Sequence, residues 1–443
     1  MFDAFGAGLE MDADKPGWCD ALNGLPGLFG SSTHEAWALG RGLLYCRAAL
    51  DGHPGPQTLH LPVEISALIV DLTTIFSAAD PARFFPTWQA LAERRERYRA
   101  QTHAGLDGTE TPMPFAVLRA WIQAVEQTLA RGLSSAVDAS GLPVSYFAHT
   151  ATAFKELVIS SAKSGEKSPP AKVEVLDFSR HALPPFLEGA VHAMRSADST
   201  DAARRLYKAV RASEIYDAAL GMYRVNAPLE DEATEIGRIR VFTPGWLENA
   251  SIFLHMHYKF LLETLRSGLA EEFFSDFKRG VVAFHNPAIY GRSPLENSSF
   301  IASSRFSDPS SHGQGFVARL SGATAEWICM VLHMGLGSAP FQMEAGALQF
   351  APSPSLVDWL FTNSDDTGHR PDRFGFMLFG TTWVIYHNPL KRSTFGPAGV
   401  APVAFELSWP DGNVERHQGS ILGQAHALAI RQGKLAQVLI TLG

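Results

Sequence analysis

The chain has 443 residues, 46% of them apolar and 19% charged, with a formal net charge of −8. That is ordinary for a globular protein with a sizeable core and room for two or three domains. The acidic balance and the lack of a long basic run exclude a binder of nucleic-acid phosphate backbone, although a few local donors suffice for a single phosphate ion.

Targeting and redox signals are equally plain. The N-terminus carries Asp3, Glu10, Asp12 and Asp14 without a basic or long apolar run, so it is no signal peptide. No apolar stretch reaches the roughly 18 residues a membrane span needs. Cys19, Cys46 and Cys329 are widely separated and form neither a disulfide framework nor a CxxC metal pattern. The expected setting is the reducing cytoplasm.

The first element is a turn rather than a helix or strand. Lys15-Pro16-Gly17-Trp18-Cys19-Asp20-Ala21-Leu22-Asn23-Gly24-Leu25-Pro26-Gly27 is dense in Gly and Pro. It fits two readings. It is a surface loop anchored by Trp18, or a sugar site in which Trp18 stacks on a pyranose face, Asp20 transfers a proton and Asn23 reads a hydroxyl. From about residue 34 to about 340 the pattern is mostly helical. The expected helices are 34–50, capped by Ser31, Ser32 or Thr33, then 60–77, 86–101, 114–132, 145–161 and 201–220. The polar segment 164–172 is expected to be an exposed loop. Ser160 and Lys163 have SxxK spacing without the supporting motifs of that enzyme class, and read as a helix face.

Further along, Pro244-Gly245 stops the incoming segment, and Glu248-Asn249 is expected to open a helix over 247–266, facing a ligand or capping the N-terminus. His255, about two turns on, would share the face of Glu248. It is a phosphate-binding candidate or a core histidine. His255 and His257 make a poor metal pair, because i, i+2 positions on a helix point apart, so no metal is expected. A polar loop over 290–300 contains Glu296, and further helices are expected at 269–279 and 320–334. Ser321-Gly322 at the second of these starts is an anion site made from a hydroxyl and free helix amides, or an ordinary helix cap. From about Gly346 strand-like runs separated by turn signals indicate an antiparallel β-domain, 346–443.

In their order, these clusters resemble the inverting glycoside phosphorylases of the cellobiose phosphorylase type, glycoside hydrolase family 94 and its relatives. Trp18-Cys19-Asp20 matches the family's Trp-Asn-Asp turn, with Cys19 in place of Asn. Pro244, Gly245, Glu248, Asn249, Ile252 and His255 match its Pro-Gly-x-x-Glu-Asn-x-x-Ile-x-x-His segment, and Ser321-Gly322 its Thr-Gly before a helix. Glu296 matches a later Glu-containing segment weakly, Leu247 stands where cellobiose-active members often have Lys, and the 24–30 extension departs from the family pattern.

The resemblance implies a mainly α fold: an (α/α)6 six-hairpin toroid over 1–345, incomplete at its N-terminus, followed by the β-domain. It implies phosphorolysis of a β-glycosidic bond with inversion. Asp20 would be the general acid. Trp18, Asn23, Glu248, Asn249 and Glu296 would contact the sugar, and His255, Ser321 and Gly322 the phosphate. No cofactor beyond inorganic phosphate is implied, and a homodimer is in keeping with the family. An inverting hydrolase with Glu248 or Glu296 as base is the main alternative. Because the catalytic turn lies so near Met1, with the family's β-sandwich and first helices absent, a third expectation is a fragment that is weakly active or acts as a sugar-binding remnant.

Overall fold

The computed structural model describes residues 1–12, 19–80, 82–157, 172–317, 322–361 and 372–443. The chain forms two compact units, Met1–Phe260 with His285–Ala318, and Leu261–Phe284 with Arg319–Gly443. Among the described residues there are eleven α-helices, and about 23% of the protein is strand in several small sheets. The expectation of a mainly α, six-hairpin toroid is therefore corrected: the protein is mixed α/β.

In the first unit the helices Thr33–Gly52, Val63–Ser77, Phe85–Thr102 and Phe115–Ser135 pack around Phe2, Ala36, Leu43, Phe76, Leu91, Ile122, Val125 and Leu129. These helices match the expected ones to within a few residues. The exception is the start of the second, where Thr58–Pro62 is a strand paired antiparallel with Glu110–Pro114. The larger error is 145–161. Its β-branched and aromatic run forms the strand Tyr146–Leu157, which pairs antiparallel with Lys172–Ala182. With Leu9–Glu10 and Ser31–Ser32 these make a four-stranded sheet. Most of the loop expected at 164–172, and the Ser160/Lys163 pair, lie outside the described residues.

Buried Asp3 ties the edge of this sheet, accepting from the amides of Phe5, Ala7 and Gly8 at 3.0, 3.0 and 2.8 Å and from Ser31 Oγ at 2.7 Å. Beyond it come the helices Leu187–Arg195 and Thr200–Ala212 and a small sheet of Ile252–Phe253, Phe300–Ile301 and Gly315–Phe316.

The second unit holds a five-stranded sheet in the order Arg373–Leu378, Thr382–His387, Gln437–Leu442, Pro402–Ser408, Val414–Gln418. All pairings are antiparallel except that of Thr382–His387 with Gln437–Leu442. Four of these five strands lie where strand-like runs were read, but Val414–Gln418 and the helix Gln424–Arg431 were not expected, and the purely antiparallel expectation is corrected by this one pair. The alternating residues Val384, Tyr386, Phe405, Leu407, Val438 and Ile440 bury one face. The helices Ala270–Gly280 and Gly322–Leu336 belong to this unit.

A second core in the first unit fixes the turn that carries Asp20. Cys19, Ala21, Leu22 and Leu25 pack with Tyr146, Phe186, Leu229, Ile236 and Ile239. The turn is two short 3-10 helices, Asp20–Leu22 and Leu25–Leu28. Between them the Gly24 amide donates to Ile236 O at 3.2 Å, and Asn23 Oδ1 accepts from the Arg238 amide at 3.1 Å. The approach is so close that a Cβ on Gly24 would lie 2.0 Å from Glu235 O, whereas one on Gly27 would meet nothing within 4 Å. Gly24→Ala should therefore destabilise the protein by about 1–3 kcal/mol, the usual cost of forced overpacking. Gly27→Ala should leave the urea midpoint unchanged or slightly raised. Equal midpoints for the two variants would show that the turn is not clamped at Gly24.

Candidate functional site

The clamped turn places Asp20 at its exposed edge, first residue of a 3-10 helix, directly after buried Cys19. Trp18 lies outside the described residues. Asn23 is exposed, but its side-chain oxygen is engaged by the Arg238 amide. Asn23, expected to read a hydroxyl, is here a residue that holds the turn.

Glu248 comes to this turn from a second irregular segment. The expected helix over 247–266 does not begin there. Gly245, Leu247 and Ala250 all have positive φ, at 83°, 50° and 52°, and helix begins only at Leu254. Buried Asn226 fastens the tight turn by donating to Glu248 O at 2.9 Å and accepting from the Ala250 amide at 2.6 Å. Asn249 is buried, and its amide nitrogen donates to Phe242 O at 2.8 Å. Its environment is that of a turn-holding residue. The Glu248 carboxyl is half-buried, and burial lifts its pKa above the ordinary glutamate value. Its own backbone amide and Arg238 oppose that shift, and the charge of Asp20 reinforces it. Glu248 thus lies within reach of the Asp20 charge, and the two carboxyl groups make a pair at the turn.

Behind this pair lies a buried cluster that the sequence reading missed. Glu188 accepts from Tyr146 OH at 3.0 Å. Its carboxylate oxygens lie 3.6 Å from His34 Nε2 and 4.0 Å from His192 Nε2. The His34 and His192 rings are 5.7 Å apart, and Arg41 reaches His192 Nδ1 at 3.4 Å. Burial, assisted by His192 and Lys259, pushes His34 down to about 3. Burial, then Arg41, Lys259 and Arg195, pushes His192 down to about 4. Both histidines are neutral at pH 7 despite the adjacent carboxylate. The Cys19 thiol is raised by burial and by the charges of Glu248 and of Glu188, so the exposed pair and the buried cluster flank one turn. The signal was present in the sequence as an i, i+4 Glu188/His192 pair on a helix face.

The remaining expected residues lie on other elements. His255 is the second residue of Leu254–Arg266, half-buried, with its ring 6.1 Å from that of Phe253. It does not share a helix with Glu248. The core-histidine role belongs to His257, which is fully buried and accepts from the Tyr223 amide at 3.2 Å. Glu296 is bonded to Arg292 at 3.2 Å, and its backbone oxygen accepts from Tyr290 OH at 2.7 Å. Ser321 lies outside the described residues. Gly322 opens Gly322–Leu336 in the second unit, whereas His255 is in the first.

No helix among the described residues is long and apolar enough to cross a membrane. No protein-family model matches the chain, and no curated protein matches it.

The arrangement combines an exposed acid, a second carboxyl whose pKa is raised by burial, and a buried neutral histidine pair on a carboxylate.

The histidines also make stability depend on pH. Unfolded, each titrates near 6.5; folded, at about 3 and about 4. Their contribution is complete above about pH 6.5 and is lost as pH falls, because the unfolded chain takes up the protons. For His34 the loss between pH 6.5 and 5 should be about 1–2 kcal/mol, at about 1.4 kcal/mol per pKa unit. The urea midpoint should fall over that range, and fall less in His34→Gln. An equal fall in the two proteins would remove His34 from the account.

Proposed function

We propose that the protein cleaves β-glycosidic bonds of gluco-oligosaccharides by phosphorolysis with inversion, releasing a sugar 1-phosphate. Asp20 donates its proton to the glycosidic oxygen. The C1–O bond breaks, the departing sugar leaves with that proton, and an oxygen of inorganic phosphate bonds to C1 from the opposite face. Phosphate is already anionic, so this route needs no catalytic base.

The observation that carries the reading is the junction of two motifs. Asn23 and Arg238, 215 residues apart in sequence, are hydrogen-bonded, and Asp20 acts electrostatically on Glu248. The bonded residues flank the two motifs of the resemblance, and both segments belong to the first unit, which supports a shared site. A phosphate role for His255 with Ser321-Gly322 rests on the resemblance. The three free cysteines support a reducing, cytoplasmic setting.

One observation favours a second reading, inverting hydrolysis. A half-buried glutamate with a raised pKa, beside a second carboxyl group, is a good base for activating water. Glu248 holds that position, whereas Glu296 is already paired with Arg292.

The purified chain, incubated with β-linked gluco-oligosaccharides with and without inorganic phosphate, separates the two. Phosphorolysis predicts that cleavage requires phosphate and yields α-glucose 1-phosphate. Asp20→Asn should lower the rate by roughly 10²–10⁴-fold with the fold intact. His255→Ala should raise the phosphate requirement more than it weakens sugar binding. Phosphate-independent release of glucose, abolished in Glu248→Gln, would transfer the assignment to hydrolysis.

A further inference from the structure

The second unit contains a cluster that none of this uses. Glu415 and His417 sit two apart on the edge strand Val414–Gln418, so their side chains leave the same face of the sheet. His426 projects from the helix Gln424–Arg431 that follows. One ligand atom from each of the three residues lies within 4.8 Å of the other two. His426 Nε2 is 2.9 Å and His417 Nε2 3.6 Å from the same carboxylate oxygen, Glu415 Oε2. The imidazole rings are 4.4 Å apart.

We propose that Glu415, His417 and His426 form a binding site for a divalent transition cation of the zinc class, with three protein ligands and a fourth position open to water. The spacing fits. Metal–ligand bonds of about 2.0–2.1 Å place tetrahedral ligands roughly 3.3 Å apart, and the two measured separations bracket that value. The donor set fits as well, since two imidazoles with one carboxylate suit zinc. Two further features show a site prepared for an ion. His417 Nε2 is shielded from solvent and makes no hydrogen bond, although it faces a carboxylate oxygen. The other carboxylate oxygen, Oε1, is held by Trp409 Nε1 at 3.0 Å, which turns Oε2 toward the histidines. Such outer hydrogen bonds orient metal ligands. A bound cation would join the edge strand to the helix across the 419–423 connection. Binding that favours the folded state raises its stability.

The test is titration of the metal-stripped 443-residue chain with Zn²⁺ by calorimetry, alongside His417→Ala, His426→Ala and Glu415→Gln. The expected result is one ion per chain in the wild type and an affinity lowered about tenfold or more in each variant, on the scale of losses seen when a site's supporting groups are removed. Co²⁺ in place of Zn²⁺ should give the intense visible bands of a four-coordinate site and quench Trp409 fluorescence, which His417→Gln should abolish. Circular dichroism of the metal-free variants checks that the strand and helix remain folded. No saturable binding by the wild type would overturn the proposal. So would binding undiminished in either histidine variant, which would place the ion on other histidines.

Discussion

The clamp between the turn 19–30 and the segment 234–251 is the constraint on which the first unit's chemistry depends. It is built from backbone groups and one side chain, Asn23. The Gly24 amide meets Ile236 O, and Asn23 meets the Arg238 amide. Gly237, at φ 130°, approaches the same turn so closely that a Cβ there would lie 2.5 Å from Ala21 O. Two glycines thus give up conformational entropy so that two irregular segments can touch. The apolar side chains Ala21, Leu22 and Leu25 are fully buried beneath the turn and hold it against the unit's core. Asp20, exposed on this rigid support, is positioned by packing rather than by its own bonds.

Electrostatics then divides the carboxyl groups by environment. Asp20 is at the solvent edge, Glu248 is half-buried, and Glu188 is buried and satisfied by Tyr146 OH. Burial first, and then the surrounding cations Lys259, Arg41 and Arg195, keep His34 and His192 neutral. Groups whose environments push their proton affinities apart are what acid–base chemistry requires. The metal cluster of the second unit follows a different logic, with its three ligands on a strand edge and the next helix.

Much of this was legible from local sequence. Gly, Pro and Asp marked the turn over 20–28, and 3.6-residue periodicity located most of the helices. Strand-like runs between turn signals located the strands of 346–443 except Val414–Gln418. The failures share one cause, which is non-local pairing. The run from Tyr146 carries apolar residues that fit a helix face or a strand equally well, and only its partner Lys172–Ala182 decides between them. Residues 247–253 looked like a helix start. Instead Ile252–Phe253 pairs with Phe300–Ile301, and positive φ at Leu247 and Ala250 forms a turn. With strands interrupting the helices, the toroid expectation failed. His34 bore no local mark, and the i, i+4 spacing of Glu188 and His192 becomes informative only once His34 is in place.

Burial, reinforced by the charge of Asp20, raises the proton affinity of the Glu248 carboxyl. The most direct measurement is the titration of the Glu248 carboxyl by ¹³C NMR, assigned by its disappearance in Glu248→Gln, in the wild type and in Asp20→Asn. The account predicts a Glu248 pKa above the ordinary glutamate value in the wild type and a lower one in Asp20→Asn, because removal of a neighbouring negative charge eases ionisation. An ordinary value in the wild type, or a raised value unchanged by Asp20→Asn, would contradict it.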